Sequence, residues 1–486
     1  MRPVGSPSAP AAAAVDDGED GLHAASETVV PAPEVEALEL LAAALDDLGY
    51  RQLYALGVGT GLFAPDRGSA LAGLEDWPAA ERHAVRLLAL GAPADRSGLP
   101  GELVPVVDAL VRAGLARAQG SAVATADWVV VPALGGHLLT RLPPGYAAPG
   151  AAGGRAYLGP DSLRLAAALP RAAGRRVLDV GTGCGVQGLL AVPGAIEAVL
   201  VDVEPDSLWM AARNQVLNRV PWPVRVLGGD LYEPVAGEAF DLVVVLPPSV
   251  PTAPGGVQTE VTAGGPDGLD FLRRLLGGAP GHLRPGGELV ALCQLLCRGD
   301  TPLLADELAS LAPGLDARMV VGEWHPLQPY LVDLATTLVA HQGWGDVRDL
   351  VERYRTSLRA LGVSGVCTAL LRVRRPVPGG PAGVRVVGGR PTRHDDVVTL
   401  APGVDLVADG AVRVATVGGA SRAVLEGPTA ALLAALDGRR TIAEAAAAAW
   451  GRLDGADPTD VTDQAVRRVD QLCQQGLVGA VRGGRH

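Results

Sequence analysis

The run Val177–Val192, VLDVGTGCGVQGLLAV, limits the possible folds more than any other stretch of this chain. Its first part is apolar, a strand pattern with an acid, Asp179, near its end, and its last part is an apolar helix pattern. Between them Gly181, Gly183 and Gly185 alternate with Thr182 and Cys184. Such a loop turns sharply and lets a ligand reach the backbone, which a Cβ at those sites would block. Strand, glycine loop and helix in that order point to an α/β fold with a ligand at the first crossover. The same loop could cradle a dinucleotide pyrophosphate. That use needs GxGxxG spacing, however, and Val186 stands at the sixth position.

The alternation continues from about Tyr157 to Arg375. Apolar runs RRVLDV, AVLVDV, VRVLGGD, FDLVVVLP, GELVALC and CTALLRVRR are separated by helical patterns. The early strands are nearly all apolar, as expected when helices cover both faces of a parallel sheet. Acids stand near three strand ends: Asp179, Asp202 and Asp230. Asp202 lies about 20 residues past the loop, where ribose hydroxyls need an acceptor. Glu204 is the alternative if that strand ends later.

The pattern D-x-GxGxG at Asp179–Gly185 resembles motif I of class I S-adenosylmethionine-dependent methyltransferases. The resemblance implies a Rossmann-like seven-stranded core, with S-adenosyl-L-methionine as cofactor and S-adenosyl-L-homocysteine as product. It implies that Asp179, Gly181, Thr182, Gly183, Cys184 and Gly185 wrap the amino-acid part of the cofactor, Asp179 meeting its ammonium usually through water. Asp202 would hold the ribose, Val203 flank the adenine, Asp230 read the adenine amino group and Leu231 pack on the ring. AFDLVVVLPPSVP (Ala239–Pro251) is similar to the strand and Asn-Pro-Pro-Tyr loop of amino-group methyltransferases, whose Asn and first proline carbonyl accept hydrogen bonds from a planar NH2. Here Leu246 and Ser249 replace the Asn and Tyr. Leu246 would then border the cofactor, and Pro247, Pro248 and Ser249 the acceptor. A buried NH2 left without one partner costs about 1–3 kcal/mol, so an sp3 amine is a better expectation than an amide. AGGPDGLDFLRRLL (Ala263–Leu276), with LYEPVAGEAFDL, resembles the release-factor and ribosomal-protein glutamine methyltransferases, a likeness over roughly residues 175–300.

An ammonium must lose a proton before it can accept a methyl group, helped by desolvation or a nearby base. GEWHPLQPYLVDLATTL (Gly322–Leu338) concentrates Glu323, His325, Tyr330 and Asp333 beside Trp324. It is expected to be a substrate lid, with Glu323, His325 and Tyr330 as candidate catalytic groups; a domain-interface segment is the other reading. Tyr157 and Asp161, just before the glycine loop, would border the methyl-donor pocket, with strand packing the alternative for Tyr157.

Around this core, residues 1–34 are expected to be a disordered tail rich in Ala, Pro, Asp and Gly. Residues 35–145 carry helix, helix and two β-rich runs, the order of a winged helix. A Pro/Gly-rich joint at Arg141–Arg155 precedes the core at 150–376, and a second joint at 377–392 leads to a small helical or winged-helix unit at 383–486. That last unit weakly resembles the small peptide-chaperone domains that recognise leader peptides of ribosomal natural products, which bind by strand addition. A scaffolding winged helix is the alternative.

The formal net charge is −12 and no basic block stands out, so nucleic acid is not an expected partner. No apolar run reaches the roughly 18–20 residues of a membrane helix, and the N-terminus makes a poor secretory signal, which predicts a cytoplasmic enzyme. Five cysteines without CxxC spacing predict neither a disulfide framework nor a metal site. The function expected is N-methylation of an amine on a peptide or protein, such as a natural-product precursor of the daptide type with or without a leader. Its rivals are glutamine N5-methylation, O-methylation of a small secondary metabolite and a non-catalytic cofactor-sensing scaffold.

Overall fold

The computed structural model describes residues 27–57, 67–142, 156, 158–170, 173–252, 264–342, 346–380 and 382–388, then 397–400, 404–409, 412–417, 420–425, 427–450, 464–466, 468–469 and 478–480. Eight strands form the main path of a nine-stranded central sheet, whose ninth, Thr301–Pro302, pairs only with the end of β5: β1 (Arg176–Val180), β2 (Glu197–Asp202), β3 (Val224–Gly228), β4 (Phe240–Val245), β5 (Leu283–Arg298), β6 (Asp316–Pro326), β7 (Gly365–Arg374) and β8 (Gly383–Gly388). They lie in the order β3-β2-β1-β4-β5-β7-β6-β8. Strand β7 is antiparallel to both neighbours, and the other pairings along this order are parallel. The first seven strands form the Rossmann-like core that the glycine loop predicts.

Successive strand residues point to opposite faces, so a strand covered on both sides must be apolar throughout. Leu178, Val180, Val201, Val243 and Val245 face a cluster that includes Leu272 and Leu276 of α6 (Asp270–His282), Leu331 and Ala335 of α7 (Leu327–Gln342) and Leu358 of α8 (Val347–Ala360). On the other face, Val177, Leu242 and Val244 meet Leu165 of α3 (Pro160–Ala168), while Ala198 and Leu200 meet Ala211 and Ala212 of α5 (Pro205–Leu217).

The N-terminal unit combines helices with a small antiparallel sheet. It contains α1 (Ala32–Asp47), helix Ala79–Leu88 and α2 (Leu103–Arg112), with a three-stranded sheet from Ala94–Asp95, Ala116–Gln119 and Ala122–Thr125. A hairpin of Val129–Ala133 with Gly136–Thr140 follows. Trp128 is fully buried and its indole N–H donates to the Leu115 carbonyl at 2.7 Å. The apolar cluster of this unit also contains Cys184 and Val186 of the glycine-loop region and Met210 and Leu217 of α5. One core therefore serves both units.

Three expectations change. Residues 1–26 lie outside the described residues, but 27–34 are ordered into the fold: Thr28 N–H donates to the Val226 carbonyl at 2.8 Å, and α1 already begins at Ala32 behind Pro31. Strand β8, assigned by sequence to the C-terminal unit, extends the central sheet beside β6. Strand β6 itself was not anticipated, because its polar residues Glu323, Trp324 and His325 hide the alternation that Ala317, Met319 and Val321 maintain. Further on, strands Val404–Asp409, Val412–Val417 and Ala420–Leu425 form an antiparallel sheet. Helices Gly427–Ala435 and Ile442–Trp450 then pack through Leu432, Leu433 and Ile442. Among the described residues no helix is long and apolar enough to cross a membrane.

Candidate functional site

The sheet order reverses between β1 and β4, and ligands of open α/β sheets bind in the crevice at the carboxyl ends of such a pair. The register levels the relevant ends: Val180 lies beside Val201 on one side and Val245 on the other. The glycine loop after β1, Asp202 at the end of β2 and the Leu246–Pro247–Pro248–Ser249 turn after β4 thus share one rim. Asp202 pairs with Gly228 of β3, which puts Asp230 two residues past the same level.

The loop leans over β2, with the Gly181 and Thr182 amides both donating to the Val201 carbonyl at 2.8 and 3.1 Å. Gly181, Gly183 and Gly185 have φ of 65°, 54° and 86°, a region that side chains with a Cβ resist. A Cβ on Gly181 or Gly183 would meet nothing within 4 Å, so the backbone there faces an open cradle that side chains would fill. Helix α4 (Val186–Leu189) follows at once.

Two buried acids brace this loop. The Asp179 carboxylate accepts from the Thr182 hydroxyl at 2.7 Å and the Gly188 amide at 2.9 Å. It is 1% exposed, and burial pushes its pKa up to about 6, with Asp202 adding to the effect. In this geometry Asp179 organises the loop through one oxygen, Oδ2, which takes both bonds. Gly188 is the residue sequence reasoning missed: a Cβ there would come within 3.2 Å of the Asp179 carboxylate. Asp202 accepts from the Gly183 amide at 2.9 Å and the Glu204 amide at 3.0 Å, and burial raises its pKa too. Each carboxylate oxygen has room for a second donor. Beside it Val203 is 54% exposed, an apolar side chain left open at the rim. Cys184 is buried, with its thiol pushed up to about 12 by burial, so it serves packing and not reactivity.

On the β3 side Asp230 forms an ion pair with Arg274 of α6. Leu231, at φ 52°, is buried in the core cluster that α6 joins. On the β4 side Pro247 is buried, and Leu246 packs against the cluster containing Leu165 and Val244. The Gly-Gly-Pro-Asp-Gly stretch is fastened to this turn: Gly264 N–H donates to the Val250 carbonyl and Thr252 N–H to the Gly265 carbonyl, both at 2.8 Å. Gly268, at φ 78°, lies so close that a Cβ would come within 2.6 Å of the Ser249 carbonyl. Gly268→Ala is expected to lower unfolding free energy by about 2 kcal/mol or more, from left-handed strain and the displaced carbonyl. A urea titration reads this, and a loss below about 0.5 kcal/mol, the range of a neutral surface change, would count against the fastening.

The expected lid is corrected. Residues 316–326 are β6 and 327–342 are α7, whose Leu327, Leu331, Ala335 and Leu338 are buried. His325 pairs with Val366, which faces Leu296, five residues beyond the Ala291 that aligns with Val245. It therefore stands about 16 Å further along the strands and three strand spacings, about 14 Å, to the side. Tyr330 packs on the core cluster, where burial and the neighbouring Tyr354 hold its phenol well above the ordinary value. Trp324 donates its indole N–H to the Gly299 carbonyl at 3.0 Å. Tyr157 and the Glu323 side chain lie outside the described residues. Asp161 is an exposed first-turn residue of α3 paired with Arg164.

Residues 158–298 match the methyltransferase small domain. That domain covers the described rim from the glycine loop to the fastened turn. The chain is 38% identical to a release factor glutamine methyltransferase of Geobacter sulfurreducens across 141 residues, 27% of this chain and 47% of that protein. It is also 35% identical to a ribosomal protein uL3 glutamine methyltransferase of Bordetella pertussis across 125 residues, 24% of this chain and 42% of that one. The chain thus spans less than half the length of these relatives. Among solved structures it is similar to a methyltransferase from Pyrococcus furiosus, at 16% identity and a TM-score of 0.26, covering 44% of this chain and 81% of that one.

Proposed function

We propose that this chain is an S-adenosylmethionine-dependent N-methyltransferase acting on an amine of a peptide or protein. The observation that carries the reading is the shared rim: an open glycine cradle, the buried Asp202 and an apolar Leu246–Pro247–Pro248 turn at one switch point. The methyltransferase small domain and the protein-modifying relatives support it.

S-adenosylmethionine would supply an electrophilic methyl group on a sulfonium. The chain's own residues then bind and align. The Gly181–Gly185 backbone and Asp202 hold the donor, with Val203 against the flat base. The β4 turn holds the acceptor nitrogen in line, since methyl transfer needs alignment more than acid–base help. Leu246 puts hydrocarbon where an amide oxygen would otherwise accept. An apolar wall disfavours the charged ammonium and so favours the neutral amine whose lone pair is free.

A natural-product precursor, with the C-terminal unit taking its leader, is the more specific form of this proposal. The glutamine amide is the second reading, favoured by the names of the relatives and by the Gly-Gly-Pro-Asp-Gly fastening. Leu246→Asn separates the two. If the amine reading is right, the variant shifts the preference between an amine-bearing and a glutamine-bearing peptide toward the amide by about tenfold or more, the worth of one recovered buried hydrogen bond. Mass spectrometry of both peptides after incubation with donor reads the ratio. A native protein that already prefers the glutamine peptide would hand the assignment to the second reading.

A further inference from the structure

The two asparagines of α5 do something the catalytic reading does not use. Asn214 is fully buried, accepts from Leu139 N–H at 2.6 Å, and donates to the carbonyls of Leu139 and Cys184, both at 2.8 Å. One helical turn later, Asn218 does the same for His137, accepting from its N–H at 2.9 Å and donating to its carbonyl at 2.7 Å. The pair therefore acts as a side-chain strand, pairing with the hairpin strand Gly136–Thr140 of the N-terminal unit.

Only Asn214 also reaches the glycine loop. The reason lies in the loop's own bonding: Gly188 N–H, the donor that a regular helix would give the Cys184 carbonyl, is turned to the Asp179 carboxylate. The Cys184 carbonyl takes the Asn214 amide instead. The same hairpin strand ends at Thr140, whose hydroxyl donates to the Ala156 carbonyl at 2.9 Å, just ahead of α3. Arg141 pairs with Asp206 in the first turn of α5, four residues past Asp202. The ties through Asn214, Thr140 and Arg141 end on segments that border the cradle.

We propose that Asn214 is a positioning residue that couples cofactor binding in the glycine loop to docking of the N-terminal hairpin. The N-terminal unit is then part of the cofactor site's support. This rests on the donor reading given above. Coupling of this kind is reciprocal: if the hairpin steadies the loop, the ligand in the loop steadies the hairpin.

The test uses the full chain and two measurements. Hydrogen exchange of the native protein with and without S-adenosylmethionine is expected to show protection of the 136–140 amides, above all Leu139, alongside protection of 181–188. Protection confined to the loop and to 202–204 would overturn the coupling. Calorimetry is expected to find Asn214→Ala binding the donor about tenfold more weakly, as the Cys184 carbonyl loses its donor. Asn218→Ala, which removes an equivalent hairpin contact without touching the loop, is expected within about twofold of native, too small a change to count as a lost buried hydrogen bond. Equal weakening by both variants would reduce Asn214 to a structural contact and sink the proposal. Should Asn214→Ala fail to fold, the exchange pattern of the native protein decides alone. No heat and no protection anywhere in the native protein would remove the donor reading itself, and this coupling with it.

Discussion

Asp202→Ala is expected to weaken S-adenosylmethionine binding by about a hundredfold or more. The native carboxylate accepts the Gly183 and Glu204 amides, so its removal strands two donors at the rim as well as the ribose hydroxyls it would hold. A stranded buried donor costs about 1–3 kcal/mol, and 1.4 kcal/mol is tenfold in affinity. Asp202→Asn keeps one oxygen acceptor and is expected to lie between the two. Isothermal titration on folded variants reads the series. Native-like binding by the alanine variant would place the ribose elsewhere and remove Asp202 from the site.

The second large effect is a pH dependence centred on Asp179. Its pKa is raised in the folded state to about 6 because burial disfavours the charge. The unfolded carboxyl has its ordinary value near 3.9. Between those values the native state binds more protons than the unfolded one, so stability falls as pH rises through the window and levels off above it. Two units correspond to about 3 kcal/mol for the cofactor-free protein. Asp179→Asn cannot ionise but keeps an oxygen for Thr182 and Gly188. Its stability relative to native is therefore expected to climb between pH 4 and 6 and stay flat to pH 8, by about 3 kcal/mol in all. Urea titrations at several pH values measure the difference. Parallel curves would show that Asp179 ionises freely. A cationic donor reverses the sign for the native protein, because it favours the carboxylate, so its affinity is expected to fall as pH drops below about 6.

Most of the core was legible because its strands are short, fully apolar and ended by recognisable loops. A buried parallel strand leaves little freedom in composition, and β1, β2 and β4 show that pattern openly. The glycine loop and Asp202 could be placed because a backbone that must turn and stay open needs glycine, and the ligand's hydroxyls need an acid. What sequence could not show was anything decided by distant contacts. Strand β6 reads as a polar loop because its carboxyl end runs past its pairing with β8 and is held by β7 alone, where Trp324 and His325 are tolerated. Gly188 looks like a helix residue until the Asp179 carboxylate is seen against it. Asn214 and Asn218 look like surface positions of a helix, because their partners lie 75 and 81 residues earlier. The one local hint was two buriable amides a helical turn apart on an otherwise apolar stripe.

The bond from Thr28 to Val226 has a consequence for handling the protein. Strand β3 is the outermost strand on its side, and a bare outer strand offers a row of amides and carbonyls to any chain that comes by. Here the chain covers part of that row itself, with Glu27 set antiparallel to Leu227. A version trimmed to begin at Ala32 would keep every helix and strand named above, yet would present that row uncovered and gain a tendency to self-associate through it.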